Sequence, residues 1–230
     1  MDGRERANLD QRKGGGAMDR KTNGKMHRKR LFLLLLTCVA AAISAVEASG
    51  NAADEIKRLA LLMGWKPGTT VADIGAGDGK YSFAAAERVG VAGKVFATEI
   101  DTKKLEELRA EVAKRKLQNV VVVGSKEADT NLPTGCCDAI FLRRVYHHLT
   151  KPTEFAANLV RSLKPGGRLA IIDFPPRSGL DPVEGVPSNR GGHGIPQKIV
   201  IEELTAAGLE MEKAVNDWPD DDYCVLFLKK

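Results

Sequence analysis

From residue 52 onward the apolar positions follow two spacings in turn. Ile56, Leu59, Ala60 and Met63 recur three and four residues apart, which is one face of a helix, with Asp54 placed to cap its start. Trp65-Lys66-Pro67-Gly68 ends that helix. Short β-rich runs follow at Thr70–Ile74, Lys94–Thr98, Val120–Val123, Ala139–Leu142, Leu169–Ile172 and Tyr223–Leu228. Helical patterns over Tyr81–Val89, Thr102–Arg115, Glu154–Leu163 and Gln197–Ala207 lie between them. A Pro- and Gly-rich loop from Pro175 to Gly194 is the longest connection. Strands that alternate with helices predict an α/β fold: a mostly parallel sheet covered on both faces. Right-handed crossovers make it doubly wound, with ligands beyond the carboxyl ends of the strands.

The pattern before residue 52 is different. Residues 1–30 are polar, contain Gly14-Gly15-Gly16 and show no apolar period, so a disordered basic tail is expected. Lys25 to Arg30 then abuts an uncharged run from Leu31 to Val46. A basic flank, a short apolar core and small residues after it read as a signal peptide over residues 31–48, with cleavage after Ala48. The alternative is an uncleaved N-terminal anchor through residues 31–46. The expected location is therefore exported or membrane-anchored, with membrane contact through this segment, and cytoplasmic if the segment is not functional. Met18 and Met26 are alternative starts. Residues 52–230 are left as a single domain.

Charge follows the same boundary. The net charge is +5, but residues 1–30 carry ten basic and four acidic side chains, so the rest of the chain is near neutral. Composition thus gives the body no surplus of cations for nucleic acid, and no nucleic-acid partner is expected. At 43% hydrophobic and 28% charged, the chain has the balance of a globular protein. Cys38, Cys136, Cys137 and Cys224 show no metal-ligand spacing, so no metal site is expected. The adjacency of Cys136 and Cys137 is poor geometry for a bond between them.

The chemistry is read at the strand ends. Asp73-Ile74-Gly75-Ala76-Gly77-Asp78-Gly79 follows the first strand and opens a helix. Its glycines let backbone approach a ligand, and the helix offers free N–H groups. A dinucleotide fingerprint needs a third glycine where Lys80 stands, which counts against a nucleotide-linked oxidoreductase. Glu99 ends the second strand, where a carboxylate accepts the hydroxyls of a ribose.

With Leu163-Lys164-Pro165-Gly166-Gly167-Arg168-Leu169 before the fifth strand, these segments resemble those of the class I S-adenosylmethionine-dependent methyltransferases. The resemblance covers roughly residues 52–230, least so the loop from 175 to 195. It implies a seven-stranded Rossmann-like methyltransferase fold and S-adenosyl-L-methionine as cofactor. Asp73, Gly75, Gly77, Gly79 and Glu99 would then hold that cofactor. It further implies that Glu127 with Ala128, or Asp129 in competition, meets the adenine. The partner is a small-molecule or lipid-like acceptor, methylated by in-line displacement. A non-catalytic cofactor- or partner-binding domain of the same fold is the alternative.

Tyr146-His147-His148 after the fourth strand resembles the paired histidines of small-molecule and quinone-precursor methyltransferases, whereas Arg143 and Arg144 depart from the family's usual residues. His147 and His148 are the candidate catalytic residues, with a structural role for them the competing reading. A histidine serves as base only if the acceptor must lose a proton. Asp173 and His193 are weaker candidates, and the loop around Gly191-Gly192-His193-Gly194 is a natural lid over the acceptor.

Overall fold

The computed structural model describes residues 52–230. The expectations for a basic tail, a signal segment or an anchor fall on residues outside that range. Within it, the elements run α1 (52–63), β1 (Thr70–Ile74), α2 (Lys80–Val89), β2 (Lys94–Glu99), α3 (Thr102–Arg115), β3 (Val120–Gly124) and β4 (Cys137–Arg143). They continue with α4 (Pro152–Ser162), β5 (Leu163–Asp173), α5 (Gln197–Ala206), β6 (Glu210–Val215) and β7 (Tyr223–Leu228). Helix α1 is already under way at residue 52, so Asp54 lies inside it rather than before it. Asp101 caps α3 by accepting the Lys104 N–H at 2.9 Å, and Lys114 and Arg115 sit favourably in its last turn.

The seven strands form one sheet in the order β3-β2-β1-β4-β5-β7-β6. The first five are parallel, and β7 is antiparallel to both β5 and β6. Alternate strand residues feed two cores. Val71, Val95, Ala139 and Phe141 pack with α1, α2 and Leu108 of α3 on one face. Ala72, Ile74, Ile140 and Leu142 pack with α4 and α5 on the other. Burial on both faces explains why these strands read as continuous apolar runs.

Two features differ from the sequence pattern. Strand β6 has no apolar run to announce it, because Glu210-Met211-Glu212-Lys213 carries charges and lies at the sheet edge, where charge blunts unwanted pairing. Strand β5 begins at Leu163 rather than Leu169; Gly166 donates to the Lys229 carbonyl at 2.7 Å, which draws the Lys-Pro-Gly-Gly segment into the sheet. Cys136, Cys137 and Cys224 are free, although the adjacent sulfurs of Cys136 and Cys137 approach to 2.8 Å. No helix among the described residues is long and apolar enough to cross a membrane.

Candidate active site

Strand order reverses between β1 and β4, and their diverging connections open a crevice at the carboxyl ends of the strands. A cleft of about 510 Å³ lies there. Its first wall is the turn after β1. Gly75, Gly77 and Gly79 all have positive φ, at 75°, 56° and 79°. A Cβ on Gly75 would come within 2.5 Å of the Val145 side chain, and one on Gly79 within 2.4 Å of Leu108. Those two glycines allow close packing. Gly77 instead has open space where its Cβ would stand and lines the cleft.

Glu99 closes the floor of this half. It is 6% exposed, and its Oε2 accepts the Gly77 N–H at 3.0 Å. Its Oε1 accepts the N–H groups of Ile100 and Asp101 at 2.8 and 3.1 Å. A carboxylate has about four acceptor positions, so Oε2 keeps one for a ligand hydroxyl. Asp73 stands behind the turn. The Ser82 hydroxyl donates to it at 2.6 Å, tying α2 to β1, and burial pushes its carboxyl up to about 7.

The far wall is made by residues after β3 and β4. Glu127 lines the cleft and receives the Thr150 hydroxyl and, at 3.0 Å, the Lys151 ammonium; both hold its carboxyl below the ordinary range. Asp129 turns toward Asn131 N–H and Arg161, at 2.8 and 3.1 Å, and the Ala128 carbonyl accepts from Asn158. Of the residues singled out in the sequence, Gly75, Gly77, Glu99, Glu127 and His148 line the cleft. Asp73, Gly79, Ala128, Asp129 and His147 stand outside its lining.

Arg143 and Arg144 also line the cleft, and their partners come from remote parts of the chain. Arg143 donates to Glu55 of α1 at 2.9 and 3.2 Å and to Asp220 at 3.2 Å. Glu55 is buried and also accepts the Tyr81 hydroxyl at 2.8 Å and the Trp218 indole N–H at 2.9 Å. Arg144 takes a positive φ of 55° and forks onto the fully buried carboxylate of Asp222, with contacts from 2.8 to 3.2 Å. Sequence reading missed Glu55 and the Asp220–Asp222 corner. Only an unusual pair of arginines at a strand end hinted that acids had to be nearby.

The histidines are arranged unequally. His147 is 2% exposed; its Nδ1 meets Asp173 Oδ1 at 2.8 Å, and its backbone N–H donates to Oδ2 of the same carboxylate at 3.1 Å. Facing a carboxylate, Nδ1 is the donor in that pair, and the buried Nε2 has no partner. The ring of His148 lies 4.0 Å from that of His147, centre to centre, and faces the cleft. Partial burial of its ring, then the neighbouring His147, lower its pKa from the ordinary histidine value. In the loop over residues 175–194, where a lid is expected, Arg190, 2% exposed, donates to Glu203 and to the carbonyls of Leu149 and Tyr146.

A glycine turn that exposes backbone to the cleft and a buried carboxylate with an acceptor position to spare define an α/β protein that binds a ribose-bearing cofactor. Comparison with known proteins makes the class specific. Residues 72–171 match the methyltransferase-domain family. The chain is 30% identical to a solved S-adenosylmethionine-dependent methyltransferase of Aquifex aeolicus, over 76% of this chain and 89% of that one, with a TM-score of 0.64. It is also 33% identical to the nocamycin O-methyltransferase of Saccharothrix syringae over 123 residues. To the ubiquinone/menaquinone biosynthesis C-methyltransferase of Francisella tularensis it is 32% identical over 117 residues. The matches cover 53% and 48% of this chain but only 44% and 45% of those two curated relatives, so it spans less than half their length. The chain belongs to the class I S-adenosylmethionine-dependent methyltransferases, whose cofactor is S-adenosylmethionine.

Proposed function

We propose that this protein transfers a methyl group from S-adenosylmethionine to a small-molecule or lipid-like acceptor by in-line displacement. When bound, the cofactor supplies a methyl group activated by its sulfonium sulfur, and the C–S electron pair stays with sulfur as the methyl leaves. The protein's task is to hold the two partners in line. Gly75 and Gly77 would present backbone to the cofactor, Glu99 would accept from its ribose, and Ile100 and Glu127, which line the same cleft, would hold its adenine. Asp73 and Gly79 act one layer back, by holding the turn in shape. The curated relatives are named for O- and C-methylation, both of small molecules, which supports a small acceptor here.

The observation that carries this reading is the Gly77–Glu99 pair: open space at Gly77, beside a buried carboxylate that still has an acceptor position. Calorimetry with S-adenosylmethionine tests it. Binding by the wild type that weakens in Glu99→Ala is expected; an absence of binding, or a preference for NAD, would overturn it. Release of S-adenosylhomocysteine with a panel of acceptors then separates transfer from mere binding. His148→Ala should lower turnover and leave cofactor affinity nearly unchanged, the mark of a group used at the reacting centre.

A further inference from the structure

The loop after β5 is built to deliver one side chain. Gly191, Gly192 and Gly194 have φ of 103°, 83° and 89°. A Cβ on Gly191 would strike Pro176 at 2.6 Å, and one on Gly194 would strike the Pro175 carbonyl at 2.7 Å. The loop is fixed on one flank by buried Arg190, which reaches the turn that carries His147 and His148. On the other flank Ile195 N–H donates to the Phe174 carbonyl at 2.9 Å. Between these anchors stands His193, whose Nδ1 donates to the Asp181 carbonyl at 3.0 Å. Its ring centre is 5.5 Å from that of His147, 6.1 Å from that of His148, and stacked at 6.1 Å on Phe174. A buried arginine and two glycines that admit no side chain are a large outlay for a loop with no ligand to meet.

We propose that His193 completes one site with His147, His148 and Asp173, and that this site takes the proton from an acceptor that enters as an acidic hydroxyl compound, a phenol or an enol. This rests on the methyltransferase reading and names its acceptor class. His148, which faces the cleft, accepts the proton: the acceptor O–H bond breaks, an N–H bond forms, and the freed oxygen pair attacks the methyl carbon. His147, held by Asp173, and His193, held by the loop, are positioning residues. Their rings crowd His148 and favour its neutral, proton-accepting form. Asp173 and Lys104 also act on His148, Lys126, Glu127, Arg143 and Arg144 line the same cleft, and Arg144 and Arg177 lie over Phe174, at 5.6 and 4.5 Å. The cleft beside His148 is walled by Val145, Leu149 and Phe155, which suits the apolar body of such an acceptor.

The test uses the full-length protein, whose four histidines make ring signals assignable by NMR. In the wild type, His148 should titrate below the ordinary value and His147 should carry its proton on Nδ1. His193→Ala and the milder His193→Gln should both raise the His148 midpoint while cofactor affinity stays unchanged. Asp173→Asn should move the His147 proton to the other nitrogen in part of the population. A His148 midpoint that ignores both His193 variants would overturn the shared site. For the acceptor class, S-adenosylmethionine is supplied with 4-nitrophenol or with its methyl ether, 4-nitroanisole, and S-adenosylhomocysteine release is followed. Release with the phenol, none with the ether and a loss in His148→Ala are expected; no release with 4-nitrophenol from a protein that binds S-adenosylmethionine would overturn the hydroxyl acceptor. Failure of S-adenosylmethionine itself to bind marks instead the failure of the methyltransferase reading.

Discussion

On the β1–β2 side of the cleft, the groups that face a ligand come from one continuous stretch between Asp73 and Asp101. They are glycine backbone and a single carboxylate, Glu99, which is itself held by three N–H groups of the same stretch. On the β4–β5 side the wall is made of long side chains whose partners are far away in sequence: Arg143 with Glu55, 88 residues off, and Arg144 with Asp222, 78 residues off. In the proposed reading the first half meets the ribose and its neighbours, the part of the cofactor that does not change with the acceptor, and a strand, a turn and a helix suffice to build it. The second half is assembled by tertiary packing of α1, the β5–α5 loop and the β6–β7 corner, so it is free to differ between proteins that share the first half. That is why the family is evident from one wall while the acceptor has to be argued from the other.

The sharpest way to break the contrast is at Glu55. Replacing it by Ala leaves Arg143, the Tyr81 hydroxyl and the Trp218 indole without their acceptor in the interior. A loss of about 3–5 kcal/mol is expected in denaturant unfolding, as for a buried ion pair deprived of one member. A loss below about 1 kcal/mol would mean that the far wall is not held from α1.

Asp73 probes the other half by pH. Its folded carboxyl keeps a proton up to about 7, against 3.8 for the ordinary group. Because the folded value is the higher one, its contribution to stability is complete below about pH 4 and is lost as pH rises through 7, by at most about 4 kcal/mol. Asp73→Asn, which keeps an acceptor for the Ser82 hydroxyl, should flatten the fall in melting temperature between those limits.

Glu99→Ala should weaken S-adenosylmethionine binding by about 1–3 kcal/mol, because a ribose hydroxyl and three protein N–H groups lose an acceptor. If affinity is unchanged in calorimetry, this half of the cleft has been assigned to the wrong ligand. The smallest effect is expected at the N-terminus. A chain that begins at Ser49 should unfold at the same midpoint and bind cofactor as the full chain does, since the seven strands of the described residues all lie within 52–230. Loss of cooperative unfolding would show that the earlier residues belong to the fold.

Much of this architecture is written locally. Alternating strand and helix patterns, the glycine turn, Glu99 and the Lys-Pro-Gly-Gly segment determine a doubly wound sheet and the cofactor wall, because each acts through backbone geometry within a few residues of itself. Strand β6 escaped because a charged edge strand has no apolar period to betray it. The choice between Glu127 and Asp129 was open in the sequence, since two acids two residues apart in a loop are equivalent until packing turns one to the cleft and the other to Arg161. Nor does the adjacency of His147 and His148 reveal that one is buried on Asp173 while the other faces the cleft. Only tertiary structure decided that, by bringing the end of β5 under the turn after β4 and a distant loop against both. Short-range geometry determines what the backbone alone can bind; side chains that meet across the fold decide what is placed opposite it.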